Sequence, residues 1–274
     1  MRTPSLFPSS LSSRRRAVLF GAVLVGLVCS LPAAAADLLD TAKARGSLRI
    51  AMEGTYPPFN FKDPKTGQLA GYDVDVAKAV AARLGLKPEF VTTEWSAILA
   101  GLASGKYDVI VSQVGITQKR EQAFDFSQPY TWSSPQLIVR RNESLSYKTL
   151  ADLKGKTVGV GQGSVFEQQA KSVPCIAVKS YPAAPENLQD LAFGRIDAAL
   201  NDSLMVAYLL KHSALPIKAG ARVGAVERMG IPFRKGNPKF KAAVDKALTD
   251  LQADGSLKAL STSWFGTDAS RPAN

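Results

Sequence analysis

Short apolar runs alternate along the chain with segments of helical periodicity. In residues 73–84 apolar side chains recur at the spacing of one buried helix face, and Gly85 follows as a stop. The flanking pattern predicts strands over 47–52, 89–92 and 107–113 and a second helix over 96–104. Because strands and helices alternate in this order, the first half predicts a parallel sheet of an α/β protein.

The second half of the chain repeats this order. Its pattern predicts strands over 156–160, 176–181 and 196–202, helices over 165–171, 186–193 and 203–211, and long helices near 238–254 and 256–264. Residues 102–108 resemble residues 191–197, since each has a helix end, a glycine, a basic residue and an aspartate that opens a strand. This repetition predicts two similar lobes whose strand ends face one cleft, where open parallel sheets bind ligands.

The order of elements also predicts how the lobes connect. We expect crossing segments near 126–135 and 226–230, after which the two terminal helices return to the first lobe. The register of the repeat places Gln113 opposite Asp202, at equivalent strand ends.

The amino-terminal segment has the composition of an export sequence. Arg14, Arg15 and Arg16 precede fifteen uncharged residues, and the small residues that follow suit cleavage after Ala36. The apolar run is too short to span a bilayer comfortably. We therefore expect a cleavable signal peptide over 1–36; a lipid anchor at Cys29 stays open.

Composition and charge exclude several classes of protein. Hydrophobic residues make up 46% of the 274 residues, an ordinary globular content, and the net charge is +11. The basic residues lack the clustering with aromatics that nucleic-acid binding requires. His212 is the only histidine and has no nucleophile motif beside it, so neither a Ser-His-Asp device nor a zinc site is expected. Cys175 is the only cysteine after the export sequence, and we expect it to be an inert, partly buried thiol.

Three positions near predicted strand ends carry candidate binding groups. Arg120 follows Thr117, a suitable helix N-cap, and its guanidinium matches a carboxylate. The turn over 161–164 lets backbone amides approach an anion. Asp202 suits an ammonium ion or the cap of the following helix. The residues alone leave alternatives open: Arg120 as a solvated surface arginine, 161–164 as an ordinary strand-helix turn, and Asp202 as only a helix cap.

Several motifs together resemble the type 3 periplasmic solute-binding proteins, which serve ABC importers of polar amino acids. The motifs are EGTYPPF at 53–59, GYDVD at 71–75, YDVI at 107–110, GITQKR at 115–120 and FDFS at 124–127. The resemblance covers nearly all of residues 37–267, and its motifs are specific only in combination.

This resemblance implies a two-lobed α/β fold, the type II periplasmic-binding-protein fold, with the ligand in the cleft between the lobes. It implies that Arg120 holds the α-carboxylate of an amino acid and that Asp202 takes its α-ammonium group, with the Gln113 carbonyl opposite. The implied ligand-binding residues are Glu53, Tyr56, Trp95, Gln113, Val114, Gly115, Arg120, Gly163, Ser164, Val165, Phe166 and Asp202. At Gly115 the chain departs from the family, which often has Ser or Thr there, so carboxylate binding would rest more on backbone amides.

Within the family, the motif at 53–59, Trp95 and the pair Gln113-Val114 are most similar to cystine-binding members. The resemblance therefore implies the periplasmic substrate-binding component of an ABC importer, a monomer that binds cystine or cysteine and meets an inner-membrane permease. It implies no catalytic residue, cofactor or metal. We expect the first lobe over 37–131 plus 228–274 and the second over 132–227. Alternatives are a binder of glutamine, glutamate, histidine or a basic amino acid, a periplasmic dehydratase on the same scaffold, and a sensor or adhesion module.

Overall fold

The computed structural model describes residues 36–272, so nearly all of the predicted signal peptide, including Cys29, lies outside the described residues. The helices are α1 (Leu38–Arg45), α2 (Tyr72–Leu84), α3 (Trp95–Ala103), α4 (Gln118–Glu121), α5 (Val165–Lys171), α6 (Ala184–Ala192), α7 (Ser203–His212), α8 (Pro238–Ala253) and α9 (Ser256–Phe265), with a 3-10 turn at Leu150–Leu153. No helix within 36–272 has the length and apolar character needed to cross a membrane.

The strands are short and numerous. They are β1 (Ser47–Met52), β2 (Thr55–Tyr56), β3 (Asn60–Lys62), β4 (Leu69–Ala70), β5 (Lys87–Thr92), β6 (Val109–Ile110), β7 (Val114–Gly115), β8 (Phe124–Phe126), β9 (Thr131–Ser133), β10 (Pro135–Arg140), β11 (Thr157–Gly161), β12 (Ala177–Tyr181), β13 (Ala198–Asp202), β14 (Ile217–Arg222), β15 (Glu227–Gly230) and β16 (Pro232–Arg234).

The first lobe is built on a sheet of order β5-β1-β6-β16-β8. Strand β1 lies parallel to β5 and β6, as the alternating order predicts, whereas β16 lies antiparallel to β6 and β8. Leu48, Ile50 and Met52 of β1 are fully buried, the pattern of a strand in a parallel sheet covered by helices. Helices α8 and α9 pack against α2 of this lobe.

The second lobe repeats the plan with a sheet of order β12-β11-β13-β10-β14. Strand β11 lies parallel to β12 and β13, and β10 lies antiparallel to β13 and β14. A third, small sheet of order β7-β15-β9 contains the segments that connect the two lobes, and we call it the crossing sheet. In it, β9 leads from β8 to β10 and β15 leads from β14 to β16, so the chain passes between the lobes twice here. The expected α/β architecture with two similar halves is confirmed.

Some local predictions were wrong. The strand expected over 107–113 is shorter, at Val109–Ile110, although the Asp108 and Val111 amides also donate to β1. Gln113 takes a left-handed backbone conformation, with φ 50°, so the chain is not extended through position 113. Helix α1, the small sheet β2-β3-β4 and strands β10 and β14 were not predicted. Strands of two or three residues, such as those of the small sheet, carry too few positions to show a period. Cys175 is exposed rather than partly buried.

Candidate functional site

A cavity lies between the two lobes. Both lobes contribute to its wall, and so does the crossing sheet. The lining residues are Glu53, Tyr56, Trp95, Ser112, Gln113, Gly115, Arg120, Gly161, Ser164, Val165, Phe166, Ala183, Ala184, Asn201, Asp202 and Met229. A pocket lined by both lobes suits a small molecule held between them.

Arg120 is the cation of the cavity wall and is only 6% exposed. The side chain of Thr117 caps the short helix α4 by accepting from the Arg120 amide at 3.3 Å, as predicted. The guanidinium donates to the Gly115 carbonyl at 2.8 Å and, across the cleft, to the Gly163 carbonyl at 3.0 Å. It also lies 5.6 Å from the centre of the Trp95 ring. Arg120 is therefore a buried and oriented group, not a solvated surface arginine.

The charge of Arg120 survives its burial. Desolvation lowers the pKa of the guanidinium to about 10, and the nearby Glu227 opposes this shift. A group with that pKa is protonated at neutral pH. Within residues 36–272 its hydrogen bonds go to backbone carbonyls rather than to a carboxylate, so its positive charge is not neutralised by direct ion pairing. Such a group favours an anionic partner.

Asp202 is the carboxylate of the facing lobe and is 1% exposed. It ends β13 and caps α7 by accepting from the Leu204 amide at 2.8 Å, while Ser133 Oγ donates to its other oxygen. Burial raises the pKa of this carboxyl to about 6, and the hydrogen bonds from Ser133 and the helix amides limit the rise. Asp202 is therefore a helix cap, as one of the two interpretations predicted, and it also lines the cavity.

Gln113 is held in the cavity wall by a buried carboxylate beneath it. Asp73, fully buried, accepts from Gln113 Nε2 at 2.7 Å, from the Tyr130 hydroxyl at 2.9 Å and from Asn60 Nδ2 at 2.8 Å. These bonds pin Gln113 in its left-handed conformation. Asn60 in turn accepts from the Gly54 amide at 2.9 Å, so the network links the loops after β1 and β6.

Glu53 is a second carboxyl group in the cavity and is 8% exposed. Desolvation, followed by the charges of Asp73 and Glu186, raises its pKa to about 8. At neutral pH this carboxyl is therefore largely protonated, and it becomes ionised most readily when a cation lies beside it.

The second lobe presents the start of α5 and the end of β13 to the cavity. Ser164 caps α5 by accepting from the Glu167 amide at 3.1 Å, and Val165 and Phe166 follow on the cavity wall. Asn201 Oδ1 accepts a hydrogen bond from the Tyr56 hydroxyl of the first lobe at 2.6 Å. Tyr56 and Arg120 thus bond to the second lobe from two places on the first.

The structure brings together most of the residues expected to bind ligand. All but Val114 and Gly163 line the cavity. The Val114 side chain instead lies in an apolar cluster of the first lobe, since its backbone pairs with Gly230 and turns the side chain inward. Gly163 contributes its carbonyl to Arg120.

Gly161 belongs to the turn that the sequence marked as a candidate anion site. Sequence reasoning did not assign five other lining residues to the site: Ser112, Ala183, Ala184, Asn201 and Met229. The positions of Ser112 and Asn201 beside predicted site residues at strand ends could have indicated them. Nothing local marks Met229, which reaches the cavity through the register of β15 with β7.

The chain is similar to known proteins in sequence and in fold. The sequence profile of the bacterial extracellular solute-binding proteins, family 3, matches residues 48–267. The chain is 38% identical over 260 residues to the L-cystine-binding protein TcyJ of Escherichia coli (strain K12), covering 93% of this chain and 97% of that protein. It is also 38% identical over 236 residues to the L-cystine-binding protein TcyA of Bacillus subtilis (strain 168), covering 86% and 87%.

A solved structure with the same fold is the ancestral amino acid-binding protein AncCDT-1, a precursor of cyclohexadienyl dehydratase. It superimposes with a TM-score of 0.77 at 35% identity and covers 83% of this chain and 99% of its own. The two proteins therefore share their fold over nearly the whole length of that neighbour.

Proposed function

Because the chain belongs to the bacterial extracellular solute-binding proteins of family 3, we propose that it is the periplasmic substrate-binding component of an ABC importer for a polar L-amino acid. Cystine is the ligand that the similarity to TcyJ and TcyA favours. The protein is a monomer that delivers its ligand to an inner-membrane permease, and its export sequence, residues 1–36, is removed after Ala36.

One observation carries this proposal: a buried guanidinium and a buried carboxylate line the same cavity from different lobes. Arg120 suits the α-carboxylate of an amino acid, and Asp202 suits its α-ammonium group. A single zwitterion placed between them neutralises both charges. Tyr56 and Trp95 provide apolar wall for the rest of the molecule.

The ligand acts by stabilising the closed arrangement of the lobes. Only in that arrangement do Arg120 and Asp202 act on one molecule, so the ligand binds the closed form more tightly and shifts the population toward it. The bonds from Tyr56 to Asn201 and from Arg120 to Gly163 then contribute across the cleft.

A thermal-shift panel tests the proposal. The purified protein is heated with each of the twenty amino acids and with cystine, and each stabilising compound is titrated by calorimetry. A ligand that binds the native state raises Tm by mass action, and we expect the largest shift with cystine. A larger shift with glutamine, glutamate, histidine or a basic amino acid would replace cystine as the ligand, and no shift with any compound would contradict the proposal as a whole.

A dehydratase is the second candidate, favoured by one feature of the site. Glu53 is an acid in the cavity with a pKa near neutrality, which suits proton transfer, and the similar AncCDT-1 is a precursor of a dehydratase. Incubation with cyclohexadienyl acids and with hydroxylated amino acids, followed by chromatography, distinguishes the two. Turnover would support the enzyme, whereas stoichiometric binding without product supports the receptor.

A further inference from the structure

Gly115 and Val165 face each other across the cleft at unusually close range. Gly115 lies on β7 of the crossing sheet, where it pairs with Met229, and Val165 is the first residue of α5 in the second lobe. A Cβ atom built on Gly115 would lie 2.8 Å from Val165 Cγ1. Ordinary contacts between such carbons lie at about 3.5–4.0 Å, so this arrangement has no room for a methyl group at position 115.

The surroundings offer little relief from such a clash. Valine is branched at Cβ and stiff about χ1, so Cγ1 cannot swing away as the end of a long side chain can. Val165 is only 6% exposed and packs in the apolar cluster of its lobe. The added atom has two further neighbours, Arg120 Nη1 at 3.4 Å and Met229 Sδ at 3.8 Å. Both lie on the same side of the cleft as Gly115, at ordinary contact distances.

The close contact between Gly115 and Val165 also affects the hydrogen bonds of Arg120. The guanidinium donates to the carbonyl of Gly115 on its own side and to the carbonyl of Gly163 on the other, at 2.8 and 3.0 Å. Gly163 lies two residues before Val165, so any separation forced between Gly115 and Val165 also lengthens the bond from Arg120 to Gly163. A side chain at 115 would therefore weaken the closed form where the carboxylate of a ligand is expected.

We propose that Gly115 and Val165 form a steric pair that sets how far the lobes close, and that this pair determines the affinity of the protein for its ligand. The inference rests on the proposed function only in taking the ligand to be an amino acid held in the closed cleft. The clash exists only when the lobes meet, so the ligand-free open protein tolerates Gly115→Ala.

A double-mutant cycle tests the pair through binding. Calorimetry with cystine, or with the amino acid that the panel selects, compares the native protein with Gly115→Ala, Val165→Ala and the double variant. We expect Gly115→Ala to raise Kd about tenfold or more in the native background, because overpacking a well-packed contact costs this much. In the Val165→Ala background, where Cγ1 is gone, the same change should raise Kd less than about threefold. Tm without ligand should be unchanged by Gly115→Ala.

A second arm measures closure without relying on a ligand. The Phe61 and Tyr208 rings lie 6.2 Å apart across the lobes and outside the cavity lining. In the mature protein with Cys175 replaced by serine, cysteines are introduced at these two positions. A short bifunctional thiol reagent then cross-links them at a rate that reports the closed population. We expect Gly115→Ala to slow this joining and Val165→Ala to restore it.

The outcomes separate the pair from the function. Native protein that binds no amino acid contradicts the proposed function, and the joining rates then still decide the steric pair. An equal loss of affinity from Gly115→Ala in both backgrounds, or unchanged affinity and joining rate, overturns the pair while leaving the function intact.

Discussion

The Tyr56 hydroxyl donates to Asn201 Oδ1 at 2.6 Å, and this bond joins the first lobe to the second at the edge of the cavity. Asn201 Oδ1 also accepts from the Asp202 amide at 2.8 Å. The aromatic ring that lines the ligand cavity thus also closes it, beside the carboxylate expected to hold the ammonium group.

Tyr56→Phe should weaken ligand binding while keeping the aromatic wall. A hydrogen bond of this kind contributes a net 0.5–1.5 kcal/mol, so we expect Kd to rise about 2–10-fold in calorimetry. Tyr147→Phe is the matched control, because its buried hydroxyl has no hydrogen-bond partner within residues 36–272. Equal affinity of the Tyr56→Phe variant and the native protein would show that the bond contributes nothing to closure.

Arg120→Ala should remove most of the affinity. The ligand carboxylate would be buried without its partner, at a cost of about 2–5 kcal/mol, which corresponds to a rise in Kd of about 30-fold or more. Lys119→Ala is the control, since Lys119 is the adjacent cation on the same short helix but is exposed. If titration gave the two variants the same Kd, the assigned role of Arg120 would be wrong.

The affinity for an amino acid should fall in acid. The Asp202 carboxyl, whose pKa burial raises to about 6, takes up a proton below that pH, whereas a ligand ammonium group favours its ionised form. Binding then requires loss of a proton, and Kd should rise toward about tenfold per pH unit below pH 6.

Calorimetry between pH 7.5 and 4.5 measures this dependence, and Asp202→Asn serves as the comparison. Asparagine keeps a side-chain oxygen to cap α7, so the fold should persist. We expect this variant to bind weakly at every pH and to lack the rise in Kd. A native Kd that is constant over the whole range would contradict the pairing of Asp202 with the ligand ammonium group.

Glu53→Gln should stabilise the ligand-free protein at high pH. The pKa of Glu53 is raised from 4.5 to about 8 in the fold, so the native state binds more protons than the unfolded state between these values. The free energy of unfolding therefore falls as the pH rises through this window, by roughly 3–5 kcal/mol in all. Glutamine cannot ionise and avoids this loss.

Urea unfolding at pH 5, 7 and 8.5 checks this expectation, because it gives the free energy of unfolding of the variant and of the native protein at each pH. The difference should grow with pH in favour of Glu53→Gln. Glu94→Gln, a change at an exposed glutamate, should show no such growth. A difference for Glu53→Gln that stays constant with pH would mean that the Glu53 carboxyl is ionised at all three pH values.

The sequence by itself determined the parts of this protein that depend on neighbouring residues. Helix α2 and strand β1 follow from apolar spacing, because a period of 3.6 or 2 residues is a local property. The caps at Thr117 and Asp202 follow in the same way, because a cap involves residues two or three positions apart. The repeated order of elements was enough to predict two similar α/β halves.

Only the tertiary structure decided what lies opposite what. Asn201 meets Tyr56, and Val165 meets Gly115, because the two lobes approach each other, and no local spacing encodes that distance. Burial likewise moves the pKa of Glu53, since desolvation depends on every element packed around a group. Residue types and their order therefore indicate the candidate binding groups, but the approach of the lobes determines their geometry and charge.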